Sequence, residues 1–102
     1  MSAEKLTEQA VAERLEGLHP AWSGTTKELR RSIEFADFGT AVEFVNRLAP
    51  ICEELDHHPD LALRWRWVDV VLSTHSAGGV TDLDLVLAGH VDEAAAALPQ
   101  AE

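Results

Sequence analysis

The spacing of apolar side chains in this 102-residue chain switches between helical and alternating periods several times, and each switch ends one kind of element. Leu6, Ala10, Val11, Leu15 and Leu18 fall on one helix face, with Thr7 placed to cap its start and Gly17 and Pro20 to stop it. Leu29, Ile33 and Phe35 then alternate with Arg30, Ser32 and Glu34, which predicts a strand with one wet face. Arg31 interrupts its inward side, as an edge position or strand end can, and Gly24 sits in the turn separating it from a short segment around Trp22. From Phe38 to about Leu55 the period is helical again, through Ala41, Phe44, Val45, Leu48, Ile51, Cys52 and Leu55. Pro50 is expected to bend that helix near its last turns.

Two strand-like runs follow. Leu61, Leu63, Trp65 and Trp67 point one way with Arg64 and Arg66 opposite, and then Val68, Val70 and Leu72 alternate with Asp69, Val71 and Ser73 up to His75. Ser76-Ala77-Gly78-Gly79 breaks the chain, and Thr81 with Asp84 forms a capping-box pattern that opens a third helix. Leu83, Val86, Leu87, Val91, Ala95 and Leu98 are its expected buried face. The order α-β-β-α-β-β-α predicts an α+β fold: a four-stranded antiparallel sheet with three helices packed on one face. With no internal repeat and no linker composition, residues 1–102 read as a single domain.

Charge and cysteine content narrow the partners. Eight Lys and Arg against eighteen Asp and Glu give a net charge of −10, which argues against duplex DNA or an anionic membrane as a direct partner. No apolar run approaches the ~18 residues of a membrane span, and Met1–Thr7 is too polar for a secretory leader. Cys52 is alone, so no internal disulfide forms, and a reducing cytoplasm is the expected location.

Five histidines are the first candidates for chemistry. His19, before Pro20, reads as a solvated loop residue, and His90, near the apolar stripe of the third helix, as a partly buried structural one. His57-His58-Pro59 follows the acidic helix end Glu53-Glu54-Leu55-Asp56 and precedes a strand. Adjacent side chains diverge in extended backbone, so this pair does not readily chelate one metal, but two imidazoles can address different atoms of one bound molecule. The plain alternative is a polar helix-to-strand connection. His75 ends a strand beside a glycine pair that lets backbone approach a ligand. Glu53 and Asp84 are the carboxylates able to orient an imidazole or favour its charged form, although Glu53 also reads as a solvated helix flank and Asp84 as the Thr81 cap partner. Cys52 reads as a small core residue rather than a nucleophile. Trp65 and Trp67 could wall a pocket for a flat heterocycle or simply fill core. Arg64 and Arg66 suit a carboxylate or phosphate, or a solvated sheet face. No Gly-rich phosphate loop, CxxC or GxSxG occurs.

Taken together these residues carry a resemblance. An acidic residue, three positions, His-His-Pro, five positions, an aromatic, nine positions, His, eight positions and Asp is here Glu53, His57-His58-Pro59, Trp65, His75 and Asp84. In this the chain resembles the pterin-4a-carbinolamine dehydratases, also called 4a-hydroxytetrahydrobiopterin dehydratases. Thr74-His75, Gly78-Gly79-Val80-Thr81 and Ile33-Glu34-Phe35 with Asp37-Phe38 are similar too, so the likeness runs from about Trp22 into the third helix. Pro50 and Leu61, the latter standing where an aromatic is common, depart from the family without touching the motif. The N-terminal helix is only loosely similar.

The resemblance implies a hydro-lyase that takes water from a 4a-hydroxytetrahydropterin to give quinonoid dihydropterin, in recycling the pterin of an aromatic amino-acid hydroxylase. It implies no metal and no separate cofactor, since the pterin is the substrate. It further implies His57 and His75 as an acid/base pair, His58 as catalytic neighbour and pterin contact, Asp84 as the orienting carboxylate, and Glu53, Pro59 and Trp65 as substrate contacts. A homodimer or homotetramer is the implied assembly. Two rivals stand beside this. One is a non-catalytic dimerisation cofactor or assembly chaperone on the same fold. The other is a metalloprotein using His57, His58, His75 and Asp84 for zinc or non-haem iron.

Overall fold

The computed structural model describes residues 4–102. Helix α1 (Glu8–Leu15) starts where Thr7 Oγ1 accepts from the Ala10 N–H at 3.1 Å, so the sequence-predicted cap is made. Strand β1 (Ser23–Gly24) and strand β2 (Leu29–Glu34) form a hairpin. Helix α2 (Phe38–Leu55) begins at Asp37, whose carboxylate accepts from both the N–H and the hydroxyl of Thr40. Strands β3 (Asp60–Arg64) and β4 (Trp67–Leu72) form a second hairpin, a 3₁₀ turn spans His75–Ala77, and helix α3 (Asp82–Ala96) follows. The sheet is antiparallel throughout in the order β1-β2-β4-β3, and the predicted α+β fold is the one observed.

One sheet face makes the core. Leu29, Ile33, Val68, Val70 and Leu72 meet Ala41, Phe44, Leu48 and Cys52 of α2 and Leu87, Ala88, Val91 and Ala95 of α3. Phe35 and Phe44 pack with ring centroids 5.0 Å apart. From α1 and its flanks Val11 is buried in this cluster, with Leu6, Leu15 and Leu18 packed against it. The other sheet face carries Arg30, Ser32, Arg64 and Asp69, where Asp69 bonds both Ser32 and Arg64.

Several expectations change. Arg31 does point inward, and neither an edge nor a strand end explains it: it is 4% exposed and pairs with Asp92 of α3 at 2.5 Å. Asp92 also accepts from Trp22 Nε1 and the His19 N–H, so it ties both the α1–β1 turn and β2 to α3. Trp65 does not continue a strand. It lies in the two-residue turn between β3 and β4, at φ 54° and 66% exposed, with the Arg66 guanidinium 4.4 Å from its ring centroid. A turn with neither Gly nor Asn gives no composition signal, which is why alternation runs through it on paper. On α3, Val86 is exposed and Leu83 half-buried, whereas Asp84, Leu85, Leu87, Ala88, Val91 and Ala94 are buried. This helix is apolar nearly all round its first turns, so periodicity alone does not select the face. Helix α2, by contrast, has the expected bounds and runs through Pro50 to Leu55; Pro50 and Asn46 are both exposed, and water can reach the carbonyl that proline leaves without a donor.

Candidate active site

The site starts at the end of α2. Asp56 takes a left-handed conformation (φ 50°), and its N–H and that of His57 bond back to Glu53 O and Cys52 O. This sharp exit sends the two following side chains to opposite sides. His57 turns inward and is 9% exposed, while His58 faces solvent and its Nε2 lies 3.2 Å from Glu53 Oε1.

Inward, His57 Nε2 meets Asp84 Oδ1 at 2.5 Å. Asp84 is fully buried on the first turn of α3. Its other oxygen, Oδ2, accepts from the Thr81 N–H at 2.9 Å and from the Thr74 hydroxyl at 2.8 Å. Asp84 is therefore at once the capping-box residue and the partner of a histidine. Thr74 Oγ1 and Thr81 Oγ1 are 2.8 Å apart. Since the Thr74 hydrogen is given to Asp84, the Thr81 hydroxyl is the donor between them.

His75 opens the 3₁₀ turn and is exposed. Its loop is pinned at both ends: Thr74 N–H bonds Gly79 O at 2.9 Å, and Val80 N–H bonds Thr26 O at 2.8 Å. Gly78 takes φ 77°, and a Cβ on Gly79 would overlap the Thr26 carbonyl oxygen, so both glycines are required by the path of this loop. His57, His58 and His75 together line one open cavity of about 310 Å³, with Asp56, Ser73, Thr74 and Ser76. Beyond His58 lies an apolar groove of about 230 Å³, where Glu53 and Pro59 sit with Val45, Leu48, Ala49, Cys52 and Leu61. Burial, aided by the neighbouring Glu53, pushes the Cys52 thiol up, which keeps it in its un-ionised, core-like form.

Of the residues singled out in the sequence, the fold brings His57, His58 and His75 to one cavity and Asp84 behind His57. Glu53 and Pro59 are on the adjoining groove. Trp65, out in the hairpin turn, lines neither. Thr74, which enters the sequence reading only through the Thr74-His75 likeness, carries a signal of its own: it continues the inward series Val68, Val70, Leu72, where a buried hydroxyl requires a partner. Among the described residues no three His, Cys, Asp or Glu side chains are gathered so as to hold a metal ion, and no helix is long and apolar enough to cross a membrane.

Fold and site define a small α+β domain in which imidazoles surround a polar cavity and one of them is braced by a buried carboxylate. The chain belongs to the pterin 4 alpha carbinolamine dehydratase family, whose model matches residues 4–94. A protein of Mycobacteroides abscessus named "Putative pterin-4-alpha-carbinolamine dehydratase" is 46% identical over 87 residues, 85% of this chain and 92% of that protein. One of the same name from Metallosphaera sedula is 44% identical over 89 residues, 87% of this chain and 92% of that protein. Among solved structures, a transcriptional coactivator/pterin dehydratase from Brucella melitensis superposes with a TM-score of 0.85 at 38% identity, covering 90% of this chain and 99% of that one. A pterin dehydratase-like RuBisCO assembly factor of the alpha-carboxysome, 23% identical with a TM-score of 0.60 over 72% of this chain and 86% of its own, shares the fold.

Proposed function

We propose that this protein dehydrates 4a-hydroxytetrahydropterins by histidine acid/base catalysis. The observation that carries the proposal is His57, whose Nε2 lies 2.5 Å from the buried Asp84 carboxylate. Because a carboxylate only accepts, that nitrogen carries the hydrogen, the ring is fixed, and Nδ1 is left to handle protons in the cavity shared with His58 and His75. In the reaction the C4a–O bond breaks, a proton joins the departing hydroxyl to make water, the N5 proton leaves, and N5=C4a forms. No electron is gained or lost. His57 and His75 suit the two proton transfers, each contributing roughly 10²–10⁴-fold, and His58 suits contact with the pterin from the same wall. Glu53, 3.2 Å from His58, steadies that ring. The polar cavity and the apolar groove beside it fit a flat heterocycle bearing polar edges.

The pterin is substrate here, and the reaction as proposed uses neither metal nor separate cofactor. Its place is the recycling of a pterin oxidised by an aromatic amino-acid hydroxylase, in the cytoplasm. The assembly we propose is a homodimer or homotetramer, since all five residues of the edge strand β3 are exposed, Leu61 and Leu63 included. The test is turnover with chemically prepared 4a-hydroxytetrahydropterin. The expected result is dehydration well above the buffer rate after chelator treatment. A rate equal to buffer, from protein that tightly binds a second protein, would favour the non-catalytic cofactor or assembly role instead.

A further inference from the structure

We infer that Thr74 is a positioning residue that decides which nitrogen of His57 faces the reaction; this rests on the dehydratase proposal for its catalytic consequence, but not for its structural one. The buried hydroxyls of Thr81 and Thr74 form a directed chain, Thr81 O–H to Thr74 O–H to Asp84 Oδ2, with links of 2.8 Å each. Oδ2 receives a second hydrogen from the Thr81 N–H at 2.9 Å. With Oδ2 holding two donors, the carboxylate cannot rotate without leaving one of them unbonded in a buried site. Oδ1 is thereby held toward His57 Nε2 as an acceptor, so Nε2 keeps its hydrogen and Nδ1 is the nitrogen that exchanges protons with the cavity. Removing the Thr74 hydroxyl frees Oδ2 from the side where the chain approaches. The carboxylate then turns about its own bond, and the imidazole loses its fixed tautomer.

Thr74 is nearly buried two residues beyond β4 and lines the cavity beside His75, but its hydroxyl is already committed to Asp84 and Thr81. Its effect is expected on proton transfer rather than on binding. Thr74→Val keeps the shape and deletes the hydroxyl, while Thr74→Ser restores the hydroxyl without the methyl. Two readouts are needed on the full chain: steady-state dehydration kinetics, and ¹⁵N chemical shifts of the His57 ring, which report the tautomer whether or not the protein turns over. In the parent protein the neutral His57 ring is expected as the Nε2–H form alone. Thr74→Val is expected to show both tautomers and to lower kcat about tenfold with KM within about twofold, and Thr74→Ser to recover most of the rate and the single tautomer. If the valine variant does not accumulate folded, Thr74→Ala serves the same comparison. A single Nε2–H tautomer and an unchanged kcat in the hydroxyl-less variant would overturn the inference. A parent protein without turnover whose tautomer still depends on Thr74 would refute the dehydratase proposal and leave the positioning role standing.

Discussion

His57 Nε2 and Asp84 Oδ1 stand 2.5 Å apart although 27 residues separate them, and the contact joins the exit of α2 to the first turn of α3. One carboxylate oxygen serves the helix start and the other serves the imidazole. Substitution can separate the two duties. In Asp84→Asn the amide oxygen can keep the Thr81 N–H and the Thr74 hydroxyl, which turns the –NH₂ group toward His57 Nε2. That nitrogen must then accept, and the ring hydrogen moves to Nδ1, the wrong tautomer for the proposed transfer. The expected result is a stability loss of about 1 kcal/mol with turnover down about tenfold or more. Thr81→Ala should cost about 1 kcal/mol with a smaller change in rate. Urea melts and dehydration kinetics at matched pH check the pair. Full turnover in Asp84→Asn would reduce Asp84 to a cap.

Arg31 and Asp92 offer a test of the core. Removing the carboxylate in Asp92→Ala leaves a guanidinium buried without an anion, and strands the Trp22 indole N–H and the His19 N–H as well. Breaking such a pair on one side costs about 3–5 kcal/mol, whereas replacing Arg31 by methionine, which leaves the more exposed Asp92 with two donors, should cost less. Chemical denaturation measures both, and equal losses from the two variants would show that the pair is not what holds these segments.

The two adjacent loop glycines should behave differently. Gly78→Ala meets open space and pays only for its positive φ, about 1–2 kcal/mol. Gly79→Ala drives a methyl group into the backbone oxygen of Thr26 and against Lys5 Cε at 2.7 Å, so the His75 loop must leave its seat. Turnover should fall far more in Gly79→Ala, on the order of a hundredfold, because small displacements of a reacting group are costly. Kinetics with amide exchange of residues 74–80 tests this, and similar rates in the two variants would contradict it.

Acid should weaken the start of α2. The Thr40 hydroxyl and N–H hold the Asp37 carboxyl below the usual aspartate value. A group whose pKa is lower folded than unfolded stabilises fully above its unfolded value, about 3.9, and that contribution disappears as pH falls through the folded value. Asp37→Asn keeps an acceptor at the cap but binds no proton. Its stability should therefore vary less with pH below about 4 than that of the parent protein, as followed by urea melts. Parallel pH profiles would show that Asp37 is not linked to folding.

Much of this architecture is legible from residue spacing, and the failures have physical causes. The α2 stripe from Ala41 to Leu55 and the inward series of β4 are read correctly because each lies against a single buried face. The buried face of α3 is read in part: Leu87, Val91, Ala95 and Leu98 are buried as expected, but Val86 is not, because Leu83, Leu85, Val86 and Leu87 are apolar on several sides of the helix. Arg31 is unreadable without Asp92, its partner 61 residues away. In the candidate site, the divergence of His57 and His58 follows from their adjacency. The contact of His57 with Asp84 does not, because it depends on how two helix ends meet. For Thr74 the alternation shows that the hydroxyl faces inward, but not that its partners are Asp84 and Thr81 at the start of α3.

The central claim, that His57 moves protons in the dehydration, is tested most directly by His57→Gln. A glutamine amide can reach Asp84 and keep that carboxylate bonded, so the fold is retained, yet it has no proton to exchange near neutral pH. The measurement is kcat for dehydration of chemically prepared 4a-hydroxytetrahydropterin by the folded variant and the parent protein side by side. The expected result is a fall of about ten- to a hundredfold with the melting transition little changed. Turnover within about twofold of the parent would contradict the role assigned to His57.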